Sequence, residues 1–208
     1  MANLDFIYNR KSVRQFKDTP VPKEDIIELL KAGTYAPSPK HQQNWHFVVL
    51  QNRDIINKMA DIVTKSHENI GQLAKNEKDF KRHMSVINYY TCFKHAPVVI
   101  IVYSCEYKMI EYKILKDKPE CKELYNMATS SQAEIQTIGA AVENLLLAAA
   151  NMGYGACYMT GPVHSRDKIY EVMGHDETKG ELMALIPVGV PEDSSAPQPP
   201  RLPLEDVV

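Results

Sequence analysis

Three cations and a hydroxyl fall within five consecutive residues, Arg10-Lys11-Ser12-Val13-Arg14, with Gln15 and Phe16 following. Such groups can converge on a phosphate, because a guanidinium offers a planar fork of donors and a serine a short one. On spacing alone, the ordinary reading of such a cluster is a solvated basic turn. A second candidate is Ala36-Pro37-Ser38-Pro39-Lys40-His41-Gln42-Gln43-Asn44-Trp45, where two prolines stiffen a loop of donors beside the single tryptophan. A loop of this kind also arises when its Trp simply anchors it to the core. Cys92-x2-His95 has metal-ligand spacing, but no second pair stands at a matching distance, so no metal site is expected. Gly153-Tyr-Gly155 follows a helical run instead of opening one, which is wrong for a dinucleotide fingerprint. Neither a P-loop, a G-x-S-x-G elbow nor an H-E-x-x-H pair occurs.

The elements that must position these residues follow from periodicity. Residues 23–32 predict a helix with Ile26, Ile27, Leu29 and Leu30 on one broad face, acidic residues in the first turn and Gly33 as its C′ glycine. Short β-rich runs are predicted at 46–51, 97–103, 156–161 and 182–190, the last interrupted by Pro187, which bars complete pairing on both sides. Amphipathic helices are predicted at 53–73, 77–92 and 165–174, and irregular helices or an excursion loop at 105–128. A long helix, capped by Ser130 or Ser131, runs to Met152 and stops at Gly153; its apolar residues nearly encircle it. The closing segment 191–208 has five prolines and no period, which reads as an extended arm. Strands that do not alternate regularly with helices favour α+β over a doubly wound sheet.

Composition narrows the function. With 208 residues, 44% of them hydrophobic and 24% charged, the chain reads as one globular domain, 1–208. Lys plus Arg is 24 against 26 for Asp plus Glu, which lacks the footprint of a general nucleic-acid binder but leaves room for a small phosphate pocket. Residues 1–12 carry Asp5 where a signal peptide needs an apolar core, and no run approaches the ~18 apolar residues of a membrane span. Four dispersed cysteines without a C-x-x-C pair read as free thiols, so a cytoplasmic protein is expected.

Taken together, these pieces resemble the flavin-dependent nitroreductase family. Arg10-Lys11-Ser12-x-Arg14-x-Phe16 is similar to its N-terminal R-x-S-x-[RK]-x-[FY] signature, and Ala36-Pro37-Ser38 with Gln43 and Trp45 to its A-P-S-x-x-N-x-Q-P-W loop. The helix ending Asn144-Leu-Leu-Leu-Ala-Ala-Ala-x-x-Gly153-x-Gly155, the strand Leu185-Ile-Pro-Val-Gly189 and the tail from Arg201 complete the likeness. The resemblance implies a mostly antiparallel central sheet flanked by helices, an intertwined homodimer, and one FMN per subunit at the dimer interface. By this likeness Arg10, Lys11 and Ser12 would hold the phosphate and ribityl chain, and Arg14 the N1/C2 edge of the ring. Pro37, Ser38, Pro39 and His41 would reach the flavin of the other subunit. Thr160 and Gly161 would turn amides toward N5, and Arg201 would close on the phosphate. His41 replaces the family's usual Asn and Asn44 its usual Pro; an imidazole there can donate a proton or serve as a plain hydrogen-bonding substitute. The implied activity is ping-pong reduction of nitroaromatics, quinones or related conjugated acceptors by NAD(P)H. Alternatives are reductive dehalogenation or azole-forming oxidation on the same fold, or an FMN-storage module without turnover.

Overall fold

Four strands, β1 (Trp45–Leu50), β2 (Val98–Ser104), β3 (Gly155–Ala156) and β4 (Glu181–Gly189), form an antiparallel sheet ordered β1-β2-β4-β3. They are seen in a computed structural model that describes residues 4–195 and 197–208. Every residue of β2 is buried, as an apolar, β-branched strand must be when both faces of its sheet are covered. On one face Val98, Ile100 and Val102 join Ala184, Ile186 and Val188 against α2 (Lys23–Thr34) and α8 (Ala133–Asn151). On the other, Val99, Ile101 and Tyr103 join Leu182 and Leu185 against α3 (Arg53–Gly71) and α9 (Arg166–Met173). Leu182 and Leu185 share a face despite their odd spacing because the register slips between Val102 and Tyr103, where β4 carries one extra residue. The fold is thus helix, sheet, helix, in the α+β class expected.

The remaining helices are α1 (Asp5–Asn9), α4 (Glu77–Met84), α5 (Ile87–Thr91), α6 (Ile110–Leu115) and α7 (Lys122–Thr129). Several predicted boundaries move for identifiable reasons. Gly33 lies inside α2, not beyond it; a Cβ there would meet Ala141 O at 3.3 Å, so it is the point where α2 and α8 approach closely. The helix predicted over 77–92 is α4, a break at Ser85–Val86, α5 and a 3₁₀ turn, Cys92–His95. Neither Ser130 nor Ser131 caps α8: its N-cap is Gln132, left-handed at φ 47° and without a side-chain cap bond. Gly153 ends α8 at φ 83°, as expected of a residue without a Cβ. The strand predicted at 156–161 shrinks to β3 plus an isolated pairing of Met159 with Leu185.

Pro187 explains that gap. Leu185 exchanges both backbone bonds with Met159 and Gly189 pairs with Gly155, so alternate β4 residues offer their polar groups to this side. Pro187 falls between them with no N–H to give. On the other side it keeps register opposite Val99.

Candidate functional site

The segment after α1 is laid along the sheet end, and this fixes its side chains. Ser12 bridges Ala156 in parallel, and Val13 N donates to Ala156 O at 2.9 Å. Further on, Lys17 N donates to Val190 O (2.9 Å) and Glu192 N to Gln15 O (3.1 Å). Glycines make the approach possible: a Cβ on Gly155 would lie 2.6 Å from Val13 Cβ, and one on Gly189 would lie 2.7 Å from Pro97 Cδ and 3.1 Å from Phe16. With Val13 and Phe16 packed inward on Ala96, the segment turns Arg10, Lys11, Ser12, Arg14 and Gln15 to a cleft of about 840 Å³.

The opposite wall is α5 with the turn after it, contributing Asn88, Tyr89, Thr91, Cys92 and His95. The third is the C-terminal arm, with Asp193, Pro197, Gln198, Pro199 and Arg201. The arm is tied to the N-terminal segment: Gln198 Nε2 donates to Tyr8 O at 2.9 Å and to Arg10 O, and Lys11 Nζ donates to Ser194 O at 2.6 Å. Arg10 meets Glu143 of α8 at 3.5 Å, and the Arg14 guanidinium lies 4.9 Å from the centroid of Tyr89. Four permanent cations thus line the cleft against one carboxylate, Asp193. That carboxylate is held below its usual range by bonds from the Ser195 hydroxyl and amide.

One thiol, Cys92, lines the cleft, and a second, Cys157, belongs to the same buried cluster. Cys92, at the foot of α5, and Cys157, just past β3, are 5% and 3% exposed. The Cys157 thiol is brought down to about 7 by a hydrogen bond from Cys92, helped by Arg14, Ser12 and Arg10. Cys92, the donor, is pushed up by that bond and by burial. Cys92 and His95 both reach the cleft, and no group of three or more His, Cys, Asp or Glu stands ready for a metal among the described residues.

Of the residues singled out from sequence, Arg10, Lys11, Ser12, Arg14 and Arg201 come together here. Pro37, Ser38, Pro39 and His41 lie elsewhere, in the loop between α2 and β1, where Lys40, His41 and Gln43 adopt positive φ and Ser38 Oγ accepts from Gln43 N at 2.7 Å. Gln42 fastens this loop to the excursion before α6, giving a bond to Lys108 O and taking one from Lys108 N, both 2.7 Å. Thr160 and Gly161 line a neighbouring recess of about 560 Å³ with Tyr90, His164 and Arg166. A Cβ on Gly161 would meet the Tyr90 ring at 2.6 Å. Tyr89, Asn88 and Gln198 were not legible beforehand; no spacing rule marks them, because only tertiary packing brings α5 and the arm to the basic segment.

Comparison with known proteins decides the family. The model of the nitroreductase family matches residues 7–190. The chain belongs to the nitroreductase family. A member from Archaeoglobus fulgidus, named "Putative NADH dehydrogenase/NAD(P)H nitroreductase", is 29% identical over 192 residues, covering 91% of this chain and 86% of that protein. A BluB-like flavoprotein from Clostridium difficile 630 superposes with a TM-score of 0.89 at 34% identity, over 100% of this chain and 98% of the other. An iodotyrosine deiodinase solved with FMN and 3-iodo-L-tyrosine shares the fold, with TM-score 0.70 and 24% identity over 96% and 94% of the two chains. In this nitroreductase-family chain the basic signature and the C-terminal arm build one cleft. No helix among its described residues is long and apolar enough to cross a membrane.

Proposed function

We propose that this protein is an FMN-dependent oxidoreductase that carries electrons from NAD(P)H to nitroaromatic, quinone or related conjugated acceptors, acting as a homodimer by a ping-pong cycle. The observation that carries the reading is the cleft formed by Arg10, Lys11, Ser12, Arg14 and Arg201, a donor set suited to a phosphate dianion. Its volume, about 840 Å³, falls within the usual range of roughly 300–1,000 Å³ for cofactor sites. FMN, when bound, supplies the hydride and electron chemistry.

The protein's residues do the rest. Arg10 and Arg201 reach the cleft from opposite ends of the sequence, and Gln198 holds those ends together by bonding the Arg10 carbonyl. The Arg14 guanidinium adds fixed positive charge, which favours a ligand that gains negative charge on reduction. The loop of Pro37, Ser38, Pro39 and His41, with the amides at Thr160 and Gly161, is assigned to the ring, the loop across the dimer. The likeness to a deiodinase supports a second reading, reductive dehalogenation of a halophenol, which uses the same cleft.

The test is to purify the protein gently, release and identify its flavin, and follow bleaching of the flavin band by NADH and NADPH. Acceptor profiling over nitroaromatics, quinones and halophenols comes next. Stoichiometric FMN that bleaches and is reoxidised by a nitroaromatic or quinone is the expected result. Turnover of halophenols alone favours the second reading, bleaching by neither nucleotide favours a storage module, and FAD or no flavin removes the proposal.

A further inference from the structure

We propose that His67 and His83 form an acid-sensitive latch that docks α4 on α3 and thereby braces α5, a wall of the cationic cleft. The two imidazole rings stack with centroids 3.7 Å apart and planes 12° from parallel. Each Nε2 lies 2.8 Å from the other residue's backbone carbonyl oxygen. A carbonyl only accepts, so each Nε2 carries a hydrogen and donates it. His67 is 1% exposed. The rest of the docking surface is thin, for no residue of α4 is buried. Its close approach to α3 depends on Gly71, where a Cβ would meet His83 Cδ2 and Met84 Sδ at 3.1 Å. The His67 ring also faces α5, with the Tyr90 ring 5.0 Å away and tilted by 47°. The neighbours of Tyr90 on that helix, Asn88, Tyr89 and Thr91, line the cleft. One buried ring thus meets both the helix that the latch holds and the helix that walls the cleft.

The two bonds use the hydrogen on Nε2, so an added proton goes to Nδ1 and makes the ring a cation. Two stacked imidazolium rings repel, and a buried ring lacks the hydration that a charge needs. The titratable groups facing His67 are His83 of α4, Tyr90 of α5 and His164 of the 3₁₀ turn Gly161–Ser165, none of them a carboxylate. On the two helices themselves, the exposed Glu68 pairs with Lys65 at 3.8 Å and the exposed Glu77 with Lys81 at 2.6 Å. Burial, ahead of the charges on His83 and His164, holds the His67 pKa below its ordinary 6.5. Docked, the pair refuses protons that the released rings accept in water, so acid favours release and neutral pH favours docking. Because α5 follows α4 directly across the break at Ser85–Val86, release of one loosens the other.

The experiment follows backbone amide exchange by mass spectrometry in the full-length protein without flavin, at about pH 7.5 and about pH 5.5, each rate divided by its intrinsic rate. The expected result is a loss of protection in α4 and α5 of about tenfold or more at the lower pH, with α8 unchanged. His83→Gln keeps a donor toward the His67 carbonyl but does not titrate, so its α4 should stay protected at both pH values. His83→Lys is charged at both, so its α4 and α5 should exchange fast already at the higher one. Both variants lose the ring stack, so the contrast between them isolates charge. Loss of protection in α8 together with α4 is global acid unfolding and overturns the proposal. So does an acid response that His83→Gln retains in full, or a His83→Lys protein as protected as the unaltered one. Fast exchange in α4 with α5 still closed overturns the link to the cleft. At the higher pH, His83→Lys should also bind FMN about tenfold more weakly than the unaltered protein, and equal affinity overturns the same link. An unaltered protein that binds no FMN defeats the function proposed above, and exchange alone then decides the latch.

Discussion

Arg14 is held before any ligand arrives: its backbone follows the residue bonded to Ala156, and its guanidinium rests over Tyr89. A charge-assisted hydrogen bond is worth roughly 1.5–3 kcal/mol, so Arg10→Ala and Arg14→Ala should each weaken FMN binding about ten- to a hundred-fold, measured by flavin fluorescence titration. Arg14→Ala should also lower the flavin's reduction potential, because the cation favours the anionic reduced form; an unchanged potential would place Arg14 away from the ring. Tyr89 is 57% exposed, so its cation–π contact is worth about 0.5–1 kcal/mol, and Tyr89→Leu should cost binding no more than about fivefold. The cations were legible because their chemistry is carried by residue type within a short segment. Tyr89 was not, since an aromatic within a helical run looks the same whether it faces core or cleft.

At the scale of elements, two contacts fix positions that sequence patterns mark only faintly. Gly180 has φ +90°, and a Cβ on it would lie 2.1 Å from the Ser104 carbonyl oxygen at the end of β2. Gly180→Ala should therefore destabilise the protein by more than about 2 kcal/mol, read as a lowered Tm. Helices α3 and α4 are pinned by His67 and His83, whose rings stack at 3.7 Å while each Nε2 bonds the other's carbonyl oxygen at 2.8 Å. Burial holds the His67 pKa below 6.5. The unfolded chain therefore binds a proton near pH 6.5 that the folded chain refuses, so the contribution is complete above that pH and lost as pH falls. Urea midpoints should drop between pH 7.5 and 5, and His67→Phe should flatten part of that slope. Strand β2, the runs around β1 and β4, and the extent of α3 and α9 were legible, because apolar period and length agree there. The break before α5, the shortness of β3 and the start of α8 were not; each is set by a tertiary partner or a left-handed residue, not by local propensity.

At the scale of the whole molecule, the cleft is closed where the segment after α1 meets the C-terminal arm, while a good deal of apolar surface stays open. Leu147 and Ala148 of α8 line a groove of about 390 Å³ with Phe6, Ala32 and Tyr35, and Tyr35 is 78% exposed. The near-encircling apolar pattern of α8 is therefore only partly answered within one chain. Beyond Arg201 the arm exposes Leu202, Leu204, Val207 and Val208, at 73%, 72%, 61% and 96%. A homodimer would cover both groups, and interfaces of that kind usually exceed ~2,000 Å². The arm then has two separable duties. Through Gln198 and Arg201 it completes the cleft of its own chain, and in a dimer residues 202–208 would supply apolar surface to the partner. Deleting 202–208 should weaken the dimer while leaving Arg201 in place, whereas Arg201→Ala should weaken FMN binding and leave the dimer intact. Deleting 191–208 should cost both. Sedimentation equilibrium with flavin occupancy measured on the same samples separates the three cases. Because a dimer with the flavin at its interface leaves no complete site on one chain, a folded monomer of the intact protein, saturated with FMN at micromolar concentration, would overturn the assignment.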